Sequence, residues 1–373
     1  MGIEVASAKG CTILDQQGKS YLDLISGISV ANMGHSHPRI VQAVQDQAGK
    51  YMHTMVYGEH IQSPQVQLAR ALTEALGEGF EQVYFVNSGS EAIEAAIKLA
   101  KRATGRFELV AFNQAYHGST HGALSLMGSQ QFSNGYLPLV PGVAHLPFND
   151  IDALNEISCR HAAVIVEVIQ AESGYLPADI EFLKALKKRC EQTQTLLIFD
   201  EIQTGYGRTG PLFAFQSAGL VPDMICMAKG MGGGMPLGAM ATSKALMQHF
   251  TENPVLGHIT TFGGHPVSCA ASLAALQLWQ EEIPKNRAQE IEARFRAQLA
   301  HIPNSHITGS GAMLALHLGD AQRMWNNVGK AWNQGLLIDW FLFNDQAFRI
   351  SPPLVISDEE IDKATDILGN LLV

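Results

Sequence analysis

The chain reads as an α/β protein, a large and mostly parallel sheet flanked by helices, followed by a separate α+β lobe. Three observations predict this. From about Ile40 to Met240, short apolar runs alternate with helical patterns of roughly 10 to 15 residues, as expected of parallel strands joined by right-handed crossovers. Two of the runs, Leu196–Phe199 and Met224–Met227, are continuously apolar like buried strands, and each leads to one charged residue, Asp200 and Lys229. After Pro266 the strand signals give way to two long helical patterns, Ala270–Glu281 and Lys285–Leu299. No Ser/Pro-rich linker, charge run or internal repeat interrupts the chain, and domain edges are expected near residues 45 and 270.

In chain order, Gln65–Leu76 has a helical pattern, Val83–Val86 a strand pattern and Glu91–Arg102 a helical one. Leu109–Phe112 and Val164–Val168 follow as strands and Ile180–Gln192 as a helix, ahead of the strands that end at Asp200 and Met227. The helix after Val86 has the clearest start. Ser88 with Glu91 forms a capping box, Ile93, Ile97 and Ala100 make a buried stripe, and Glu94 and Lys98 are expected to pair outside. Such a turn leaves several N–H groups free, and Gly89 permits close approach. Ser88, Gly89 and Ser90 therefore read either as an ordinary cap or as an anion cup for a phosphate.

Composition excludes several functions. With 25 Lys and Arg against 35 acids the net charge is −10, which disfavours nucleic acid and anionic lipid as partners. The five cysteines are scattered, odd in number and free of C-x-x-C spacing, so neither a disulfide frame nor a metal site is indicated; reduced core residues are expected. No apolar stretch reaches about 18 residues and the start lacks a secretory signal pattern, so a cytoplasmic protein without a membrane partner is expected.

Asp200 and Lys229 stand at strand ends facing one crevice, where open α/β sheets place ligands. A buried aspartate can keep a ring nitrogen protonated, and a lysine on a glycine-flanked loop can form a Schiff base; together they are what pyridoxal phosphate requires of a protein. Two other readings of these letters fail. A nucleotide hydrolase needs G-x-x-x-x-G-K-[ST], and Gly18-Lys19-Ser20 has Ile13 at the first glycine position. Gly205, Gly207 and Gly210 match a dinucleotide fingerprint, but Pro211 and no helix follow.

Tyr116 reads either as a ring-stacking residue or as a loop tyrosine packed on the core, and His117 as a candidate acid or base. Glu167 and Glu172 are five residues apart, a spacing that does not favour a catalytic carboxylate pair, so a buried ion pair or a solvated loop is expected for each. Arg349, before Pro352-Pro353, reads either as a clamp for a substrate carboxylate or as a structural salt bridge.

The segments YLDLISGISVANMGHSHP, NSGSEAIEAAIKLAKR, AYHGST, LLIFDEIQTGYGRTG, MAKGMGGGMPLGA, HITTFGGHP and FRISPPLVIS resemble, in order and spacing, the class III (ω-amino acid) aminotransferases of PLP fold type I. Among these, the motifs look like those of acetylornithine and ornithine aminotransferases. The resemblance implies a large domain over 46–270 with a seven-stranded sheet that binds pyridoxal 5'-phosphate. It also implies a small domain made from both chain ends, 1–45 and 271–373. Lys229 would be the Schiff-base lysine and proton shuttle, Asp200 the partner of the ring nitrogen, and Gln203 a contact to the ring oxygen. Ile202 and Tyr116 would cover the two ring faces. Gly89 and Ser90 would bind the phosphate with Thr261 of a neighbouring subunit, making a homodimer with shared sites. Arg349 would take a substrate carboxylate, with Glu172 as its exchangeable partner.

The chain departs from the family at Ser119, where an arginine is usual, at Ile28, where some ornithine enzymes have an aromatic, and at Val168 and Ala171. Relatives also carry some twenty further N-terminal residues, which suggests a short form. The expected activity is transfer of an amino group from an ω-amine, acetylornithine- or ornithine-like, to the 2-oxo acid 2-oxoglutarate. The alternatives are an aminomutase or decarboxylase on the same framework, a transaminase with another donor such as 4-aminobutyrate, or a cofactor-free scaffold.

Overall fold

The computed structural model describes residues 2–56 and 58–373. Its centre is a seven-stranded sheet of β1 (Gln82–Val86), β2 (Glu108–Phe112), β3 (Val143–Leu146), β4 (His161–Glu167), β5 (Leu196–Asp200), β6 (Met224–Met227) and β7 (Gly238–Thr242). The spatial order is β1-β7-β6-β5-β4-β2-β3. Only β7 runs against its neighbours. The sequence reading found every one of these strands except β3 and β7, and β4 begins at His161 and stops before Val168.

Alternate residues of the central strands feed two apolar layers, as period-two geometry requires. Val164, Val166, Leu197, Phe199 and Ile225 pack on the side of helices Ser63–Leu76 and Ile180–Thr193. Ala163, Ile165, Ile198, Met224 and Cys226 face Ala92, Ile93 and Ala96 of helix Gly89–Thr104. Both faces are dry, so truncating Phe199 to alanine is expected to cost about 3–5 kcal/mol.

The two chain ends meet beside this sheet. An antiparallel meander, Val5–Lys9, Thr12–Asp15 and Ser20–Asp23, is joined in parallel by Leu336–Leu337. A second sheet orders His306–Ser310, Met313–His317, Ala347–Ile350 and Asp339–Trp340. Helix Pro266–Glu282 gives Ala271 and Leu278 to the core of this part, and Cys269 and Leu276 to the core under the central sheet. Arg208, fully buried, ties the parts further: it donates to Ala312 O at 3.0 Å and bonds Pro352 O and Asn32 Oδ1.

Two local expectations are corrected. Glu94 does not pair with Lys98; it accepts from Thr120 Oγ1 at 2.6 Å and Gly122 N at 2.8 Å, capping the next helix, while Lys98 bonds His258 Nδ1 at 2.8 Å. A helix start with free N–H groups outcompetes an exposed i,i+4 pair worth only tenths of a kcal/mol. Of the cysteines, Cys159 is exposed and the other four are buried.

Candidate active site

The carboxyl ends of β1, β4, β5 and β6 open into a cavity of about 490 Å³. Its lining includes Ser88, Gly89, Ser90, Tyr116, His117, Glu167, Asp200, Ile202, Gln203 and Lys229. Ten positions scattered over the sequence thus share one space because parallel strands present all their C-terminal ends on one edge.

Asp200 is 4% exposed and is held from two sides. Its Oδ1 accepts from Ile202 N at 3.0 Å and its Oδ2 lies 2.7 Å from His117 Nδ1. Burial works against the charged imidazole, but the hydrogen bond and charge of Asp200, with the charge of Glu167, raise the His117 pKa above the usual value. Pairing of β4 with β5 sets Glu167 directly beside Asp200. Glu167 accepts from Tyr116 N at 3.1 Å and Ala171 N at 3.0 Å, and burial pushes its pKa up despite the nearby His117.

Lys229 follows β6 with φ of 49°, a left-handed conformation uncommon for a residue with a side chain. Its Nζ donates to Gln203 Oε1 at 2.7 Å. Burial lowers its pKa from the usual lysine value, against the pull of Glu172. Such a lysine reaches its neutral, nucleophilic form more readily than an exposed one. Gln203 is oriented by Tyr175 OH, which accepts from its Nε2 at 3.0 Å, and by Ser29 Oγ at 3.4 Å. Ser29 closes a turn in which Ser26, Gly27, Ile28 and Ser29 all have φ between 53° and 61°.

The cup at the start of helix Gly89–Thr104 is built as expected with one change. Ser88 Oγ accepts from Glu91 N at 3.2 Å, but the Glu91 carboxylate takes Asn87 N at 2.6 Å instead of the Ser88 N–H. Only half of the capping box forms. The N–H groups of the first turn have no intrahelical partner, which makes this end an anion site. Gly89 is required for packing as well as for ligand approach, since a Cβ there would stand 2.8 Å from Ile202 Cδ1. Ser90 Oγ accepts from Ser119 N at 3.2 Å, and Tyr116 OH is 3.2 Å from Ser119 Oγ.

Three residues singled out in the sequence lie off this lining. Thr261 is exposed on the loop next to Thr260, whose hydroxyl accepts from Asn87 Nδ2 at 3.0 Å. Glu172 and Arg349 form a buried pair, with Arg349 Nη2 3.1 Å from Glu172 Oε2 and 2.7 Å from Trp340 O. Arg349 Nη1 is buried without a hydrogen-bond partner among the described residues. The neighbouring carboxylate Asp339, Oδ2 at 3.8 Å from Arg349 Nε, completes the pair's surroundings. Sequence reasoning missed Glu167 as a neighbour of Asp200, which the pairing of two parallel strands would have revealed, and Tyr175, for which the letters carry no signal.

Comparison with known proteins agrees with this geometry. A family model described as "Aminotransferase class-III" matches residues 1–372. The chain is 39% identical over 371 residues to an acetylornithine aminotransferase of Archaeoglobus fulgidus, covering 99% of this chain and 95% of that one. It is 37% identical over 376 residues to one of Bacillus cereus, with 99% and 95% covered. Among solved structures, an ornithine aminotransferase of Toxoplasma gondii superposes with a TM-score of 0.92 at 29% identity, covering 100% of this chain and 90% of that one. With an aspartate and a lysine facing each other across a cavity capped by a helix start, and with this similarity along its length, the chain belongs to the class-III aminotransferases, enzymes that use pyridoxal 5'-phosphate.

Proposed function

We propose that the protein transfers an amino group from an ω-amine of the acetylornithine or ornithine kind to 2-oxoglutarate, forming glutamate. The observation that carries this reading is one cavity holding the Asp200–His117 and Lys229–Gln203 pairs, with a buried arginine, Arg349, paired to Glu172 outside its lining. The relatives' names support the choice of donor.

The residues fit pyridoxal 5'-phosphate. The cup at Ser88, Gly89 and Ser90 suits a phosphate, Ile202 and Tyr116 flank the space a flat ring needs, and Asp200 lies deep in it. When bound, the cofactor delocalises the electron pair left as the substrate C–H bond breaks. Asp200 holds a proton at the ring nitrogen, and His117 keeps the Asp200 carboxylate in place. Lys229 Nζ would take the proton from the substrate carbon and deliver it two atoms away, to the carbon beyond the transferred nitrogen, with Gln203 fixing where Nζ points. Arg349 accepts the carboxylate of 2-oxoglutarate through Nη1 and, once Glu172 withdraws, through Nη2. An ω-amine leaves the Glu172–Arg349 pair closed. Ser119 provides no second cation at the outer wall, so the donor's own carboxylate has a weaker hold there.

A homodimer with shared sites forms part of the same proposal. Ile61, 93% exposed, Met52, Val255 and Phe262 are exposed apolar side chains that a second copy could cover. The His53 and Phe262 rings, 5.0 Å apart, join the segments that carry them, and Thr261 lies next to Phe262. Among the described residues no helix is long and apolar enough to cross a membrane. We assign the protein to the cytoplasm, the large domain to 46–270 and the small one to 1–45 with 271–373.

The test is a pair of half-reactions followed by absorbance. N-acetylornithine or ornithine alone should bleach the visible band of the loaded enzyme, and 2-oxoglutarate should restore it with release of one glutamate. Carbon dioxide or an isomerised amine as product would replace transamination with a different reaction. A panel of ω-amines ranks the donors.

A further inference from the structure

Tyr175 belongs to neither half of the site as described, yet it touches both. Its side chain is fully buried. Its hydroxyl accepts from Gln203 Nε2 at 3.0 Å, and the other end of the same amide, Oε1, accepts from Lys229 Nζ at 2.7 Å. An amide turned the other way would aim NH2 at the lysine amine, donor against donor. The Lys229 amine thus selects the oxygen end of Gln203, and the Tyr175 hydroxyl holds the opposite, NH2 end in place; the second acceptor, Ser29 Oγ, is farther off at 3.4 Å.

The ring of Tyr175 reaches the substrate end. It packs edge-on against Phe341 at 4.9 Å, and the Arg349 guanidinium lies 4.7 Å from the Phe341 centroid and 5.9 Å from that of Tyr175. Glu172, the ion-pair partner of Arg349, is three residues away on the same loop. Between them the backbone makes a tight reversal, with φ of 91° at Gly174 and 50° at Tyr175. A tyrosine pays for that conformation, and it persists because the surroundings hold it. Phe343 N donates to Glu172 O at 3.1 Å, Asn344 Nδ2 to Ser173 O at 3.2 Å, and Thr308 Oγ1 to Gly174 O. Residues 172–175 thus form one braced unit carrying the arginine's partner at one end and the lysine's orienting hydroxyl at the other.

We infer that Tyr175 is a positioning residue that couples occupation of Arg349 to the setting of Lys229 Nζ. When a substrate carboxylate displaces Glu172, the loop cannot shift without moving the Tyr175 hydroxyl against Gln203. The lysine is then held differently with a dicarboxylate than with a simple ω-amine. This rests on the reading of Arg349 as the carboxylate-binding group. The charged groups facing Lys229 are Glu172, Arg349, Asp200 and Glu167, with His117 on Asp200.

The test uses cofactor-loaded protein and glutarate, a dicarboxylate that cannot react. The pH midpoint of the bound cofactor's visible absorbance is measured with and without saturating glutarate. In the wild type, glutarate should move the midpoint by about half to one pH unit, a three- to tenfold change in proton binding. Tyr175→Phe keeps the ring and removes one oxygen. It should bind glutarate within about twofold of the wild type while losing at least half of the shift. Ser29→Ala should keep the shift. No shift in the wild type, or an undiminished shift in Tyr175→Phe, overturns the coupling. So does a shift lost in Ser29→Ala alone. Arg349→Ala separates the two ideas. If it still binds glutarate, the reading of Arg349 falls; if it does not and Tyr175→Phe still shifts like wild type, only the role of Tyr175 falls.

Discussion

The Asp200–Lys229 group and the Glu172–Arg349 pair beside it are built differently. Asp200, Glu167 and Lys229 ride on the ends of adjacent strands in the middle of a buried sheet, so their spacing is set by backbone pairing. Glu172 and Arg349 come from a loop and from a strand of another sheet, and their pairing rests on a side-chain ion pair. The first arrangement can hardly change without unfolding the sheet, whereas the second can open by exchanging one carboxylate for another. On the proposed function, chemistry that every substrate shares belongs to the rigid group and the choice between substrates to the exchangeable one.

Variants should divide the same way. Lys229→Ala should have the largest effect, lowering both half-reactions by about four orders of magnitude or more in single-turnover absorbance, because the amine that faces the cavity is lost. Asp200→Asn should follow, with a loss of about three orders in both, since a neutral amide does not keep a ring nitrogen protonated. Arg349→Ala should cost the 2-oxoglutarate half-reaction about 10- to 100-fold in kcat/KM and the ω-amine half-reaction about threefold at most. Equal losses in the two half-reactions would break the division between a rigid and an exchangeable group.

The smallest effect concerns the rigid group. Glu201, next to Asp200, points away from the cavity and accepts from Thr204 Oγ1, Ala214 N at 3.0 Å and Phe215 N at 2.7 Å. Burial raises its pKa to about 7 in spite of those bonds. A folded-state pKa above the unfolded one means that its stabilising contribution is complete below about pH 4.5 and is lost as the pH rises through about 7. Urea unfolding of cofactor-free protein from pH 5 to 8 should show wild type losing stability relative to Glu201→Gln. The slope should reach at most about 1.4 kcal/mol per pH unit. A parallel pH dependence in the two proteins would mean that Glu201 is not desolvated.

Much of this was legible from periodicity. Helix Gly89–Thr104 and the strands ending at Asp200 and Met227 follow from uninterrupted apolar patterns, which depend only on local geometry. What stayed hidden depends on partners distant in sequence. β7 is rich in small residues because Gly238 lies against the Ser88 carbonyl, which a reading of apolar runs does not detect. Glu167 looked like one of two unrelated acids until strand pairing set it beside Asp200, and Glu94 found a helix start in place of Lys98. Arg349 was left between a clamp and a salt bridge, and in the structure it makes the salt bridge with one nitrogen to spare.

β1 is the first strand of the central sheet to leave the ribosome, and within the sheet it bonds only to β7, the last. Everything from Asn87 to Leu237 must be synthesised before β1 stops being an open edge. Until then the phosphate cup that follows β1 is placed relative to the lysine that follows β6 only by the packing of helix Gly89–Thr104 on β4, β5 and β6. A nascent chain halted before Gly238 would carry Ser88, Gly89, Asp200 and Lys229 but leave β1 without its sheet neighbour, and that bare edge would be a target for chaperones or for aggregation.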